Sequence, residues 1–226
     1  MRHAAFDLDG TLIDSRADLV ESVNHVLASF DRPTIDPPTL AGYVGHGARA
    51  LLERALGPME PGQIDEGVRR FMRYYGEHLL DETRAYPGVE ALLDGLDECG
   101  VVLTVLTNKP EALSRTILDG LGLGDRFVAL VGGDTLPTRK PDPLGLQWLC
   151  NAAGALPAES LLVGDSPVDL DTARAAGAAF CGVAWGLQPD VLAAARPGWM
   201  VRDAGELLTG LGPLAGRRLD SGGGGG

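Results

Sequence analysis

The sequence predicts an α/β fold, a doubly wound parallel sheet with an α-helical domain inserted near its start. Three observations predict it. From Val89 onward, apolar runs of strand length alternate with segments of helical period, which is the grammar of βα units. One run, Val101-Val102-Leu103-Thr104-Val105-Leu106, is apolar and rich in β-branched residues without alternation, as a strand buried on both faces requires. Between Asp14 and Arg84, by contrast, helical spacing dominates and nothing reads convincingly as a strand.

The elements follow in order. Ala4-Ala5-Phe6 is a short apolar strand that runs into Asp7-Leu8-Asp9-Gly10-Thr11. Leu19, Val23, Val26, Leu27 and Phe30 give Arg16 to Phe30 a helical stripe, which Pro33, Pro37 and Pro38 end. Thr39 to Leu56 resumes helical spacing around the loop Gly42-Tyr43-Val44-Gly45-His46-Gly47, and Gln63 to Leu80 is a further helix. After Tyr86-Pro87-Gly88 come helix Val89 to Cys99, the strand 101–106 and helix Glu111 to Leu121. Strand Phe127 to Val131 and helix Leu144 to Ala153 follow. The chain closes with strand 161–164, helix Val168 to Ala176, strand Phe180 to Ala184, a short edge strand at Met200-Val201 and helix Ala204 to Leu211. Residues 1–14 and 85–221 form the core domain and 15–84 the helical insert. The glycine tail 222–226 has nothing to bury and is expected to be disordered or an addition to the native chain.

Composition bounds the function. The 226 residues are 45% hydrophobic and 22% charged, enough for one substantial core and a smaller satellite. A net charge of -12 argues against a nucleic-acid partner, because such binding rests on cations against phosphates. An anionic small molecule is still admissible where a metal or a few aimed donors reverse the local field. Cys99, Cys150 and Cys181 are odd in number and far apart, so they read as reduced, mostly buried thiols rather than as a disulfide or zinc framework. With no signal core and no apolar run of membrane-spanning length, the expectation is a cytoplasmic monomer or homodimer without membrane contact.

Parallel sheets bind ligands at the carboxyl ends of their strands, so the residues just past each strand matter most. Asp7 and Asp9 follow the first strand; spaced by two, they point the same way while the chain stays extended. Two close carboxylates repel unless a cation or proton lies between them, and a hard divalent metal suits oxygen ligands. Taken alone, Asp9-Gly10 reads more readily as a turn than as a metal site. Thr107-Asn108-Lys109 follow the second strand, either as a helix cap or as a phosphate cradle. Lys140, restrained by Pro141 and Pro143, lies beyond the third, and Asp165-Ser166 with Asp169 follow the fourth. Both aspartates fit helix caps. A metal would also remove the cost of burying Asp165 at a strand end.

Together these residues resemble the motifs of the haloacid dehalogenase-like hydrolase superfamily, in its phosphatase branch. Asp7-Leu8-Asp9-Gly10-Thr11-Leu12-Ile13-Asp14-Ser15 is similar to the first motif, Thr107-Asn108-Lys109 to the second, Lys140-Pro141 to the third, and Gly164-Asp165-Ser166 with Asp169 to the fourth. The resemblance runs from Phe6 to about Gly186. It implies a Rossmann-like core, an α-helical cap in the position of the insert, and Mg²⁺-dependent hydrolysis of a small phosphorylated metabolite. In that reading Asp7 is the nucleophile and Asp9 the acid and base. Lys140, Thr107, Asn108 and Gly10 hold the phosphoryl group. Asp7, Asp9 through its carbonyl, Asp165 and, further out, Asp169 hold Mg²⁺.

Asp9 favours phosphate esters over halides, since a departing halide needs no proton. The insert contains no lysine, which excludes the Schiff base of the phosphonate-cleaving branch. Gly45-His46-Gly47 and Tyr86-Pro87-Gly88-Val89 resemble phosphoglycolate phosphatases, although Asn is the commoner residue where His46 stands. The resemblance therefore implies 2-phosphoglycolate, with His46 and Arg49 on its carboxylate. Sugar phosphates or nucleotides are the alternative, ahead of β-phosphoglucomutase-like transfer or a non-catalytic binding relative. For Arg49 a solvated helix face competes with that role, and His3, His25 and His78 read as packing or surface residues.

Overall fold

Ala4, Ala5 and Phe6 are all buried, so the strand they form, β1 (His3–Phe6), has no exposed face and lies inside the sheet. The computed structural model describes residues 1–60 and 62–215; the glycine tail lies outside the described residues. After β1 come β2 (Ile13–Asp14) and four helices, α1 (Arg16–Ala28), α2 (Pro37–Ala41), α3 (Ala48–Leu56) and α4 (Gln63–Glu77). The chain returns through β3 (Arg84–Ala85) to α5 (Val89–Glu98), β4 (Val102–Leu106), α6 (Glu111–Gly120), β5 (Ala129–Val131) and α7 (Leu144–Ala152). It finishes with β6 (Ser160–Gly164), α8 (Pro167–Ala176), β7 (Ala179–Val183), α9 (Pro189–Ala194), β8 (Met200–Val201) and α10 (Ala204–Ala215).

Six strands pair in the order β5-β4-β1-β6-β7-β8, every pairing parallel. The expected α/β sheet is present, with its edge strand at Met200-Val201. Successive side chains of β1 serve opposite faces, as the period of a strand dictates. Ala4 and Phe6 join an apolar cluster with Leu92 and Leu96 of α5 and Leu207 of α10. Ala5 joins the cluster of Leu146 and Leu149 on α7 and Leu170 on α8. One polar residue enters this frame: His3, fully buried, places Nδ1 3.0 Å from Ser160 Oγ on β6 and Nε2 2.7 Å from Thr104 Oγ1 on β4. His25 and His78 stack on Tyr74 of α4. Cys150 and Cys181 are buried and Cys99 is exposed.

The helical insert packs α1, α3 and α4 through Leu19, Val23, Leu52 and Phe71, in an apolar cluster continuous with one face of the sheet. Its two connections to the core pair with each other: β2 and β3 form a two-stranded antiparallel ribbon, Ile13 opposite Ala85 and Asp14 opposite Arg84. The strand-free reading of 14–84 therefore needs correction at both ends. Helix α4 stops at Glu77 rather than Leu80, because the following turn is drawn to Asp18 of α1. That buried carboxylate accepts from Glu82 N (2.9 Å), Thr83 N (2.9 Å) and Thr83 Oγ1 (2.7 Å). Helix α9 was not anticipated either. Among the described residues no helix is long and apolar enough to cross a membrane.

Candidate active site

Backbone pairing continues one residue past β1, where Asp7 N donates to Val163 O at 2.9 Å. That fixes the Asp7 carboxylate at the carboxyl edge of the sheet, 2.8 Å from Lys140 Nζ. The same ammonium donates to Asp169 Oδ1 at 2.6 Å. Asp169 is held from behind by Ser166, whose hydroxyl donates to Oδ2 at 2.5 Å and whose N–H donates to it at 3.2 Å. Ser166 and Asp169 thus form the capping box of α8, and the carboxylate that caps the helix also accepts from Lys140. Asp165 directly follows β6 and accepts from Leu187 N at 2.7 Å.

The turn after Asp9 accommodates Asp165 closely. Gly10 has φ +84°, and a Cβ there would stand 2.2 Å from Asp165 Oδ2. Only glycine both adopts that backbone and leaves that space.

Asp7, Asp165 and Asp169 are all buried and can bring one oxygen each within 4.8 Å of one another. Three carboxylates against the single ammonium of Lys140 leave two negative charges without a partner. Burial, and secondarily the neighbouring Asp169, push Asp7 up to about 7 despite Lys140. Burial, then Asp7 and Asp169, raise Asp165 well above the ordinary carboxylate range. Burial disfavours the Lys140 ammonium, yet Asp169 and Asp7 outweigh it and hold the group above the usual lysine range. A buried, all-oxygen donor set with two surplus negative charges fits a hard divalent cation.

Asp9 faces a different environment. Its Oδ1 accepts from Ser15 Oγ at 2.5 Å and from Lys109 Nζ at 2.6 Å, and Lys109 also donates to Tyr75 Oη on α4 at 2.6 Å. Lys109 was expected only as part of the Thr107-Asn108-Lys109 motif, with no role of its own, and Tyr75 was absent from the expected site. Composition carried a signal for the first: the chain has only two lysines, Lys109 and Lys140, and both are buried here.

One pocket gathers Asp7, Asp9, Thr107, Asn108, Lys140 and Asp165, with Lys109, Ser166 and Gln188. Across from them the insert contributes an apolar wall of Leu19, Val44, Ala48, Leu51 and Phe71. Two core side chains hold its loops: Asn108 Nδ2 donates to Gly45 O (2.8 Å) and to Lys140 O (3.0 Å), and Gln188 Nε2 donates to Ala41 O (2.7 Å). Gly47, with φ +85°, brings the loop against Asn108 O, which a Cβ would meet at 3.3 Å. That close approach accounts for Gly47, whereas Gly45 has open space around it and a φ of +114°.

His46 and Arg49 do not border the pocket, although Gly45, Gly47 and Ala48 do. Arg49 is exposed and pairs with Asp65 and Glu53, because the second residue of α3 faces α4 and solvent. His46 is half-buried, and burial, with the charges of Arg54 and Arg139, lowers its pKa. Trp185, half-buried, donates from Nε1 to Thr11 O at 3.1 Å and props the turn after Asp9.

A family model described as haloacid dehalogenase-like hydrolase matches residues 4–183. A phosphoglycolate phosphatase of Haemophilus influenzae (strain 86-028NP) is 38% identical over 213 residues, covering 90% of this chain and 95% of its own. One from Chromobacterium violaceum is 40% identical over 191 residues, covering 82% and 86%. Among solved structures, that of a predicted phosphoglycolate phosphatase from Haemophilus somnus 129pt superposes with a TM-score of 0.87 at 33% identity, covering 92% of this chain and 97% of that one.

Proposed function

The chain belongs to the haloacid dehalogenase-like hydrolase family, and from that premise we propose a Mg²⁺-dependent phosphomonoesterase acting through an aspartyl-phosphate, with 2-phosphoglycolate as substrate. The observation that carries the reading is the unequal setting of two aspartates two residues apart. Asp7 sits in the anionic cluster beside Lys140, whereas Asp9 is held apart by Lys109 and Ser15. That difference supports attack by the first and proton handling by the second.

An Asp7 oxygen attacks phosphorus in line. As that O–P bond forms, the ester P–O bond breaks, and its electron pair leaves on the alkoxide oxygen, which takes the proton of Asp9. Water then attacks the phosphoryl group and gives a proton back to Asp9. The Asp7–phosphorus bond breaks, restoring the carboxylate and releasing phosphate. Lys140 and the Thr107 hydroxyl bind phosphoryl oxygens together with the N–H groups around Asn108 and Gly10. Thr107 Oγ1 accepts from Lys109 N at 3.2 Å, so its own O–H is left to donate. Mg²⁺ would be held by Asp7, the Asp9 carbonyl and Asp165, with Asp169 behind them. It would supply charge neutralisation for the phosphoryl group.

In this reading, residues 1–14 and 85–221 are the core and 15–84 a cap that opens about the β2–β3 ribbon to admit the ester and closes to exclude water. The test is a panel of phosphate esters assayed with Mg²⁺ and with excess chelator. Turnover of 2-phosphoglycolate with metal and its loss with chelator are expected. No turnover of any ester with metal would overturn the enzyme, and hexose phosphates hydrolysed in its place would overturn the substrate alone.

A further inference from the structure

Asp9 Oδ1 carries two short hydrogen bonds, while no donor among the described residues reaches Oδ2. One donor belongs to the insert and the other to the core. Ser15 is the N-cap residue of α1, but its hydroxyl makes no cap hydrogen bond and goes to Asp9 instead. A capping hydroxyl normally contributes to helix stability, so its diversion sacrifices local stability for a tie to the acid. Lys109 comes from the loop after β4, and its ammonium is held in turn by Tyr75 from α4, with Nζ also 4.8 Å from the centre of the Tyr75 ring. The Lys109 and Asp9 side chains are 5% and 13% exposed, leaving little water to replace a lost partner.

We propose that Lys109 is a positioning residue for Asp9, and that Tyr75 is its anchor on the insert. Lys109 acts through Asp9 and touches no reacting atom. By fixing Oδ1 together with Ser15, it turns Oδ2, the oxygen without a partner, toward the ester as the one that carries the proton. Because Tyr75 belongs to α4, the acid is fully oriented only while the insert is seated on the core. A substrate that fails to seat it meets a nucleophile without an aligned acid. The inference rests on Asp9 being the acid, and the experiment separates the two.

The test compares kcat/KM, which reports phosphoryl transfer to Asp7, for an alkyl ester (2-phosphoglycolate) and for p-nitrophenyl phosphate, whose phenolate departs without a proton. General acid catalysis is worth about 10²–10⁴-fold, so Lys109→Met is expected to lower the alkyl value about 100-fold and the aryl value less than about 5-fold. Tyr75→Phe keeps the ring stacked 5.2 Å from Phe71. It is the milder variant should Lys109→Met fold poorly, and is expected to lower the alkyl value about 10-fold with the aryl value nearly unchanged. Asp9→Asn is the reference and should show the largest disparity. Equal losses on both esters in Asp9→Asn would overturn the acid assignment and this inference with it. A disparity in Asp9→Asn with equal losses, or none, in Lys109→Met and Tyr75→Phe would overturn the positioning role alone.

Discussion

His3 starts the central strand with no solvent contact, and burial lowers its pKa from 6.5 to about 4. Below pH 6.5 the unfolded chain takes up a proton that the folded chain refuses. The ring's contribution to stability is therefore complete above that pH and is lost as the pH falls through about 4. A shift of this size corresponds to about 3 kcal/mol. Urea unfolding of the protein and of His3→Gln at pH 7 and pH 4 tests it: the variant should lose about 3 kcal/mol less over that interval. Parallel losses would contradict the assignment. The comparison is between chains because Asp7, raised to about 7, has the opposite sign and loses stability as pH rises. At this scale the sequence was readable where a residue type served one purpose. Asp7, Lys140 and Asp165 follow buried strands, where an unpartnered charge has no cheap explanation. Lys109 was less readable, because its role depends on Tyr75, distant in sequence and brought near only by the seating of α4. Arg49 was open to two readings, and its surface pairing with Asp65 and Glu53 follows the solvated helix face.

Among the elements, the parallel strands were legible because burial on both faces removes polar alternation and leaves continuous apolar runs. Ribbon β2–β3 was not, since two residues carry no period. Its neighbour Asp18 was equally hidden: on a helical wheel it is one more acidic residue of a first turn. In the structure it is buried and satisfies two backbone N–H groups and a hydroxyl of the returning chain. Asp18→Ala should leave those donors unpaired and destabilise the protein by about 3 kcal/mol. Cleavage within 80–84 by a nonspecific protease should rise at the same time, because this carboxylate fastens the segment to α1. Unfolding free energy and peptide mapping measure the two effects, and a change under about 0.5 kcal/mol would mean that water replaces the carboxylate.

For the whole molecule, a charge of -12 and an anionic substrate are reconciled by keeping the favourable field local. Arginines on the outside answer surface acids, as Arg49 answers Asp65 and Glu53, so Arg49 adds little to the pocket. Arg49→Ala is expected to change KM for 2-phosphoglycolate by less than about twofold; a tenfold rise would place the guanidinium on the substrate after all. The chain spans nearly the whole of its relatives, which is why family resemblance and sheet topology agree so closely. The seating of the insert's loop on the core was the part hardest to read from sequence. It depends on which backbone atoms of a glycine-rich loop approach the core, and side-chain identities say little about that.

The protein's economy with lysine has a practical consequence. Since Lys109 and Lys140 are the only two in the chain, isotopic labelling of lysine side chains places labels in the pocket and nowhere else. Apart from the terminal amine, every primary amine of the molecule belongs to this site. Two resonances, one beside the proposed nucleophile and one beside the proposed acid, would report phosphoryl binding and cap seating without interference from the remaining surface.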